Sequence, residues 1–135
     1  MGFRHEIAVR YGEVDGQGVV FNAHYLAYVD DAMDHWMRQL DARFESQGWD
    51  FMVRHAELDW VGGAGVGDVL TLDAEVSRWG TTSFGVHVRI HVADRPVFVA
   101  DMTYVGVEAG TSRPIPVPDA VRRHLGEPTG APSDP

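Results

Sequence analysis

A single apolar stripe at helical spacing, followed by two-residue alternation, narrows the folds open to this chain more than any other feature. Leu26, Val29, Met33, Trp36, Met37, Leu40 and Phe44 recur at steps of three and four, so a helix from about Asn22 to Gln47 presents them on one face. Such a helix is about 35–39 Å long at 1.5 Å per residue, and Gly48 is its natural stop. Asp30, Asp31 and Asp34 fall in its N-terminal half, the end of the macrodipole that favours negative charge.

Every other patterned segment has the period of a strand. His5, Ile7, Val9 and Tyr11 alternate with Arg4, Glu6 and Arg10; Leu70, Leu72, Ala74 and Val76 alternate with Thr71, Asp73, Glu75 and Ser77. Phe84, Val86, Val88, Ile90 and Val92 give the cleanest alternation, and residues 97–107 are apolar on both faces, as in a central strand. Residues 51–61 are mixed. PIPVPDAVRRHL reads as a proline-rich exit into a short terminal helix, and GEPTGAPSDP as a disordered tail. The expected architecture is α+β, one long helix against an antiparallel sheet of about five strands, in a single domain over 1–125 with a tail over 126–135.

Composition removes whole classes of function. A net charge of −9 opposes binding to a phosphate backbone. With no cysteine there is no disulfide, thiol nucleophile or thiolate metal site. No apolar run reaches the roughly 18 residues of a membrane span, and MGFRHEIAVRYGE lacks a signal-peptide core, so a cytoplasmic protein is expected. The basic side chains are all Arg, whose forked guanidinium suits phosphate oxygens where a few are well placed.

Motifs for other chemistries are missing. There is no G-x-S-x-G elbow, no Walker A string and no G-x-G-x-x-G between strand and helix. GGAGVG reads as a plain loop between strands. His87 and His91 share a strand face about 13 Å apart at 3.3 Å per residue, too far to bind one ion at about 2 Å each. His24 and His35 do not stack on the helix, so no metal site is expected.

The segment GEVDGQG remains. By itself Asp15 reads as a turn aspartate, since Asp-Gly is a common turn pair. Its loop, however, ends at a helix N-terminus, where backbone N–H groups can hold a developing oxyanion, and its glycines let the backbone approach a ligand closely. A carboxylate facing such donors across a small gap is a workable acyl-transfer site.

The string VRYGEVDGQGVVFNAHYLAYVDDA resembles the signature of the 4-hydroxybenzoyl-CoA thioesterase branch of hotdog-fold proteins, an aromatic, D-x-x-G-x-V, then a helix with a Tyr and an acid one turn on. GDVLTL, WGTTSF, VADMTYV and RPIPVP continue the likeness, which covers residues 4–125. The resemblance implies hydrolysis of an acyl-CoA thioester to free acid and CoA, with Asp15 as nucleophile or general base. It implies that the backbone N–H near Asn22 is the oxyanion donor, that Phe21 and Tyr25 lie by the acyl pocket, and that Asp30 is the following acid. The pantetheine arm would pass Trp79, Thr82 and Ser83, with Arg78, Arg89 or Arg95 as candidates for the CoA phosphates. No cofactor beyond the substrate's own CoA is implied, and the expected assembly is a homo-oligomer, a dimer or a tetramer of paired dimers. Other readings of the same fold are an acyl-carrier-protein thioesterase, a dehydratase or hydratase (whose D-x-N-P-x-H string is absent), and a non-catalytic acyl-binding protein.

Overall fold

The computed structural model describes residues 2–128. Strand β1 (Gly2–Ala8) leads through a single 3-10 turn at Tyr11–Glu13 into helix α1 (His24–Leu40). Strands β2 (Trp49–Trp60), β3 (Val69–Trp79), β4 (Ser83–Val92) and β5 (Arg95–Glu108) follow, and helix α2 (Asp119–Leu125) closes the chain. The five strands form one sheet in the order β1-β3-β4-β5-β2, with every pairing antiparallel.

Alternation becomes packing through register. Leu72 pairs with Ile90, and Ile90 with Phe98, which pairs in turn with Trp60. The parallel row runs Ala74, Val88, Ala100 and Leu58. These rows make one apolar face, because residues two apart along a strand share a side of the pleat. Helix α1 lies on that face, with Trp36 stacked on Phe3 and Tyr25 on Phe98. Leu72, Ile90, Phe98, Val29 and Met37 are all at most 1% exposed.

The helix departs from its expected bounds. It has 17 residues, about 25 Å at 1.5 Å per residue, and ends at Leu40 rather than Gln47. The cause is Asp41, whose extended backbone leaves the helix while its carboxylate accepts from Arg43 N–H at 3.0 Å and Gln47 Nε2 at 2.8 Å. A short polar side chain bonded to nearby backbone offers an alternative to the helical ladder. A second 3-10 turn, Phe44–Gln47, follows and stops at Gly48, whose φ of 91° is the left-handed conformation glycine adopts at least cost.

Three finer expectations change with it. The buried stripe of α1 runs through Tyr25, Tyr28, Val29, Ala32, Met33, Trp36 and Met37, whereas Leu40 is exposed. The first turn carries no acid; Asp30, Asp31 and Asp34 sit beyond the reach of the dipole, and Asp34 instead pairs with Arg38 at 2.9 Å. Tyr11 turns outward, 85% exposed, because β1 ends at Ala8 and the 3-10 turn rotates it off the sheet face. Of the expected disordered tail, residues 129–135 lie outside the described residues.

Candidate active site

The loop between β1 and α1 is a folded unit. Val9, at its entrance, is buried and exchanges backbone hydrogen bonds with the segment before β3: Val9 N–H donates to Asp68 O and Gly67 N–H to Val9 O. Val14 bridges Val20, and Asp15 N–H donates to Val19 O at 2.9 Å, so residues 14–20 form a small hairpin. At its tip Gly18 N–H donates to Asp15 O at 3.0 Å, with Gly18 at a φ of 80° that its lack of a Cβ permits. The Asp15 carboxylate accepts from Gln17 N–H through Oδ1 at 2.8 Å. Asp15 is therefore a turn aspartate, as its glycine neighbours suggest, and a half-buried one.

One anchor of this loop was not legible as such in the sequence. Glu13 is 7% exposed. It accepts from Arg10 N–H at 2.8 Å, Arg10 Nε at 2.7 Å and the Tyr28 hydroxyl at 2.9 Å, with His24 Nε2 at 3.4 Å. Its carbonyl accepts from Phe21 N–H at 3.0 Å. Burial alone would raise the Glu13 carboxyl; the Arg10 guanidinium and N–H and the Tyr28 hydroxyl outweigh it and hold it down at about 2. Burial, with this carboxylate beside it, pushes the Tyr28 hydroxyl well above its ordinary value. Glu13 thus fastens the hairpin to the first turns of α1. The Arg10-x-x-Glu13 spacing was the available signal, but only the tertiary placement of Tyr28 and His24 shows its purpose.

Between hairpin and helix lies a cavity of about 620 Å³. Asp15 and Gln17 stand on one side, and Asn22, Tyr25 and Leu26 of the helix start on another. Trp60 closes it from the end of β2, its indole N–H donating to Asn22 O at 3.0 Å and its ring edge on Phe98. Ala23 at the N-cap position provides no side-chain acceptor, so no side chain competes for the donors of the first turn. Tyr25 is buried, its hydroxyl has no hydrogen-bond partner among the described residues, and burial raises its ionisation above the ordinary value. The glycine loop after β2 contributes more than a plain connection: Gly62 and Gly63 line the cavity, and a Cβ on Gly63 would meet Val19 at 3.3 Å.

Asp15, Asn22 and Tyr25 are thus brought together. Phe21 is next to them along the chain but half exposed and not a wall of the cavity. Trp79, Thr82 and Ser83 lie at the far end of β3 and β4, about 33 Å along the strand from the Val69 end, which borders the Asp15 loop through Val9 and Asp68. Trp79 is taken up by the terminal helix: its indole N–H donates to Gly126 O at 3.0 Å and the Arg122 guanidinium lies 4.8 Å over its ring. Arg122 also reaches the Gly80 and Thr81 carbonyls, and Gly106 N–H donates to Thr82 O. Of the three arginines, Arg95 stands at the cavity through its hydrogen bond to Gly63 O at 2.7 Å, whereas Arg78 reaches Ser83 Oγ at 3.5 Å. The two strand histidines diverge, His87 to Asp101 at 2.7 Å and His91 to Asp73 at 3.7 Å.

The five-stranded antiparallel sheet with a helix across it belongs to a known class. The profile of the Thioesterase-like superfamily matches residues 9–125. The chain belongs to that superfamily, the hotdog-fold thioesterases, and the enzyme class of that membership is thioester hydrolase. Among individual proteins, it is 26% identical over 125 residues to the acyl-CoA thioesterase YbgC of Haemophilus influenzae, covering 90% of this chain and 92% of the relative. It is 24% identical over 128 residues to a 1,4-dihydroxy-2-naphthoyl-CoA hydrolase of Synechococcus elongatus, covering 91% and 94%. The crystal structure of a 1,4-dihydroxy-2-naphthoyl-CoA thioesterase from Synechocystis superposes with a TM-score of 0.80 at 20% identity, covering 93% of this chain and 96% of that one. Among the described residues no helix is long and apolar enough to cross a membrane.

Proposed function

We propose that the protein hydrolyses an acyl-CoA thioester in the Asp15 cavity, releasing free acid and CoA. The observation that carries this reading is that a half-buried carboxylate and a helix start with no side-chain cap line the same cavity. Gln17 N–H orients the Asp15 carboxylate through Oδ1, and the other oxygen is the one that reacts. As a general base it takes a proton from water, and the resulting hydroxide adds to the thioester carbonyl. As a nucleophile it adds to that carbonyl itself and forms a mixed anhydride that water then opens. In both routes the negative oxygen rests on backbone N–H groups near Asn22, the C–S bond breaks, and the CoA thiolate leaves and takes up a proton. Tyr25 flanks the acyl group, exposed Phe21 stands outside the cavity wall where the acyl group enters, and Arg95 at the rim suits a CoA phosphate. Water is the sole co-substrate, with no cofactor, and the protein works in the cytoplasm.

The same reading includes an assembly. Edge strand β2 has 12 residues, and Met52, Val53 and Trp60 on it are each 45–52% exposed. An open apolar edge of this length favours pairing with another chain. Antiparallel pairing of two β2 strands would set the Trp60 end of one copy beside the Phe51–Val53 end of the other. Trp79, Thr82 and Ser83 would then serve the cavity of a neighbouring copy rather than their own. In this hotdog arrangement the sheets curl about their helices, with the dimer as minimal unit and a homotetramer as the full assembly.

The test is turnover of a panel of short, long and aromatic acyl-CoA substrates, followed with a thiol reagent. Asp15→Asn is expected to lower kcat at least ~100-fold, as loss of a base or nucleophile does, with fold and assembly unchanged. Wild-type turnover in that variant would refute the assignment. A single turnover in heavy-oxygen water tests the anhydride route: label in the Asp15 carboxylate reports water opening the anhydride at the Asp15 carbonyl, whereas the base route leaves Asp15 unlabelled.

A further inference from the structure

His5 occupies a position where the sequence pattern calls for an apolar residue. It lies between Phe3 and Ile7 on the inward face of β1, and its register partner Leu72 is fully buried. Its side chain is only 15% exposed, and its Nε2 stands 2.9 Å from Asp31 Oδ2 on α1. One helical turn on, His35 shares that helix face with Asp31, as residues four apart do, and its ring lies 4.4 Å from the His5 ring. Two imidazoles and a carboxylate from two different elements thus converge, with one ligand atom from each within 4.8 Å of the others.

We propose that His5, Asp31 and His35 bind a divalent transition-metal ion of zinc's class, which clasps edge strand β1 to helix α1. Two imidazoles with one carboxylate suit zinc and its neighbours rather than magnesium or calcium, which prefer all-oxygen ligands. Zinc–ligand bonds of about 2.0–2.2 Å place tetrahedral ligand atoms about 3.4 Å apart. Closing the cluster therefore takes a shift of roughly 1 Å by Asp31 and His35, whose side chains are about half exposed. His5 is already positioned, its ring stacked on Phe3, which stacks on Trp36. The His35 ring N–H at Nδ1 donates to Asp31 O at 2.8 Å, leaving Nε2 as the free ligand nitrogen. A backbone carbonyl behind the second ring nitrogen is the usual support of a metal-bound histidine. On binding, the ion takes the place of the proton between His5 Nε2 and Asp31 Oδ2, and that proton moves to His5 Nδ1, so the ring stays neutral. None of the three residues lines the Asp15 cavity, so the site is separate from the one assigned to hydrolysis.

Zinc chloride titrated into the full-length protein, followed by calorimetry and by thermal unfolding, tests this. The expected result is saturable uptake of one zinc ion per chain with a rise in Tm, since a ligand of the native state stabilises it. His35→Ala, an exposed change, should weaken binding at least ~10-fold, because even a group behind a ligand is worth about 10–100-fold. His5→Ala should do the same, while His55→Ala, at an exposed histidine elsewhere, should bind as the wild type does. Binding unchanged in His35→Ala, or uptake that never saturates in the wild type, would overturn the proposal. Turnover of acyl-CoA is not the readout and stays at the wild-type level in His35→Ala.

Discussion

Two carboxylates two residues apart divide the labour of the β1–α1 loop. Asp15 lies on the cavity with one oxygen held by Gln17 N–H, whereas Glu13 is buried behind it and fully engaged by Arg10 and Tyr28. Glu13 positions the hairpin and does not line the cavity. Its carboxyl ionises at about 2 when folded, against an ordinary 4.5. The folded state thus binds fewer protons than the unfolded state across that interval, and stability rises with pH there. The contribution of Glu13 is complete above about pH 4.5 and is lost as pH falls toward 2. Denaturant midpoints measured down through this window should fall less steeply in Glu13→Gln than in the wild type. At neutral pH that variant should unfold more easily and show lower kcat, with hydrolysis still dependent on Asp15. Asp15 was legible in the sequence because its glycines and the helix after them fix its setting. Glu13 was not, because Tyr28 is 15 positions away and shows its hydroxyl only in the fold.

At the scale of elements, side-chain period decides nearly everything in β3 and β4 and less in α1. A Leu72→Ala change removes a side chain that is fully buried against Ile90 and the helix, and should cost about 2–5 kcal/mol in denaturant unfolding. Asp73, one residue on and on the opposite face, pairs with Arg4 at 2.8 Å, and the Arg4 side chain is 67% exposed. Asp73→Ala should cost no more than about 1 kcal/mol, the scale of an exposed ion pair. Equal costs at the two positions would contradict the assigned register. The helix was read seven residues too long because Leu40 and Phe44 continue its spacing; the break at Asp41 comes from side-chain hydrogen bonds that a hydrophobic period does not record.

For the whole molecule, the uncovered β2 edge is the feature a single chain leaves unsettled. Val53 is 48% exposed on that edge, near the cavity lined by Phe51, Met52, Tyr104 and Asp30, where desolvation raises the Asp30 carboxyl. If β2 pairs with β2 of a second copy, Val53→Lys should dissociate the assembly, since a charge on an edge strand opposes pairing. Light scattering would show the smaller species, and acyl-CoA turnover would fall with it while the far-ultraviolet dichroism of the fold persists. An unchanged particle size would place the interface elsewhere.

The sequence alone determined one main helix beside about five strands, the inward faces of β3 and β4, and the loop that carries Asp15. These follow from local period and turn chemistry, which a chain displays without reference to distant partners. Tertiary structure alone decided where the helix stops, why Glu13 is buried, that the glycine loop walls the cavity, and that the Trp79 indole N–H is held by Gly126 O. It also gathered His5, Asp31 and His35 from a strand and a helix into one cluster. Such facts depend on contacts between residues far apart in the chain, set by register and by the face on which the helix packs. No spacing along a single strand or helix encodes them.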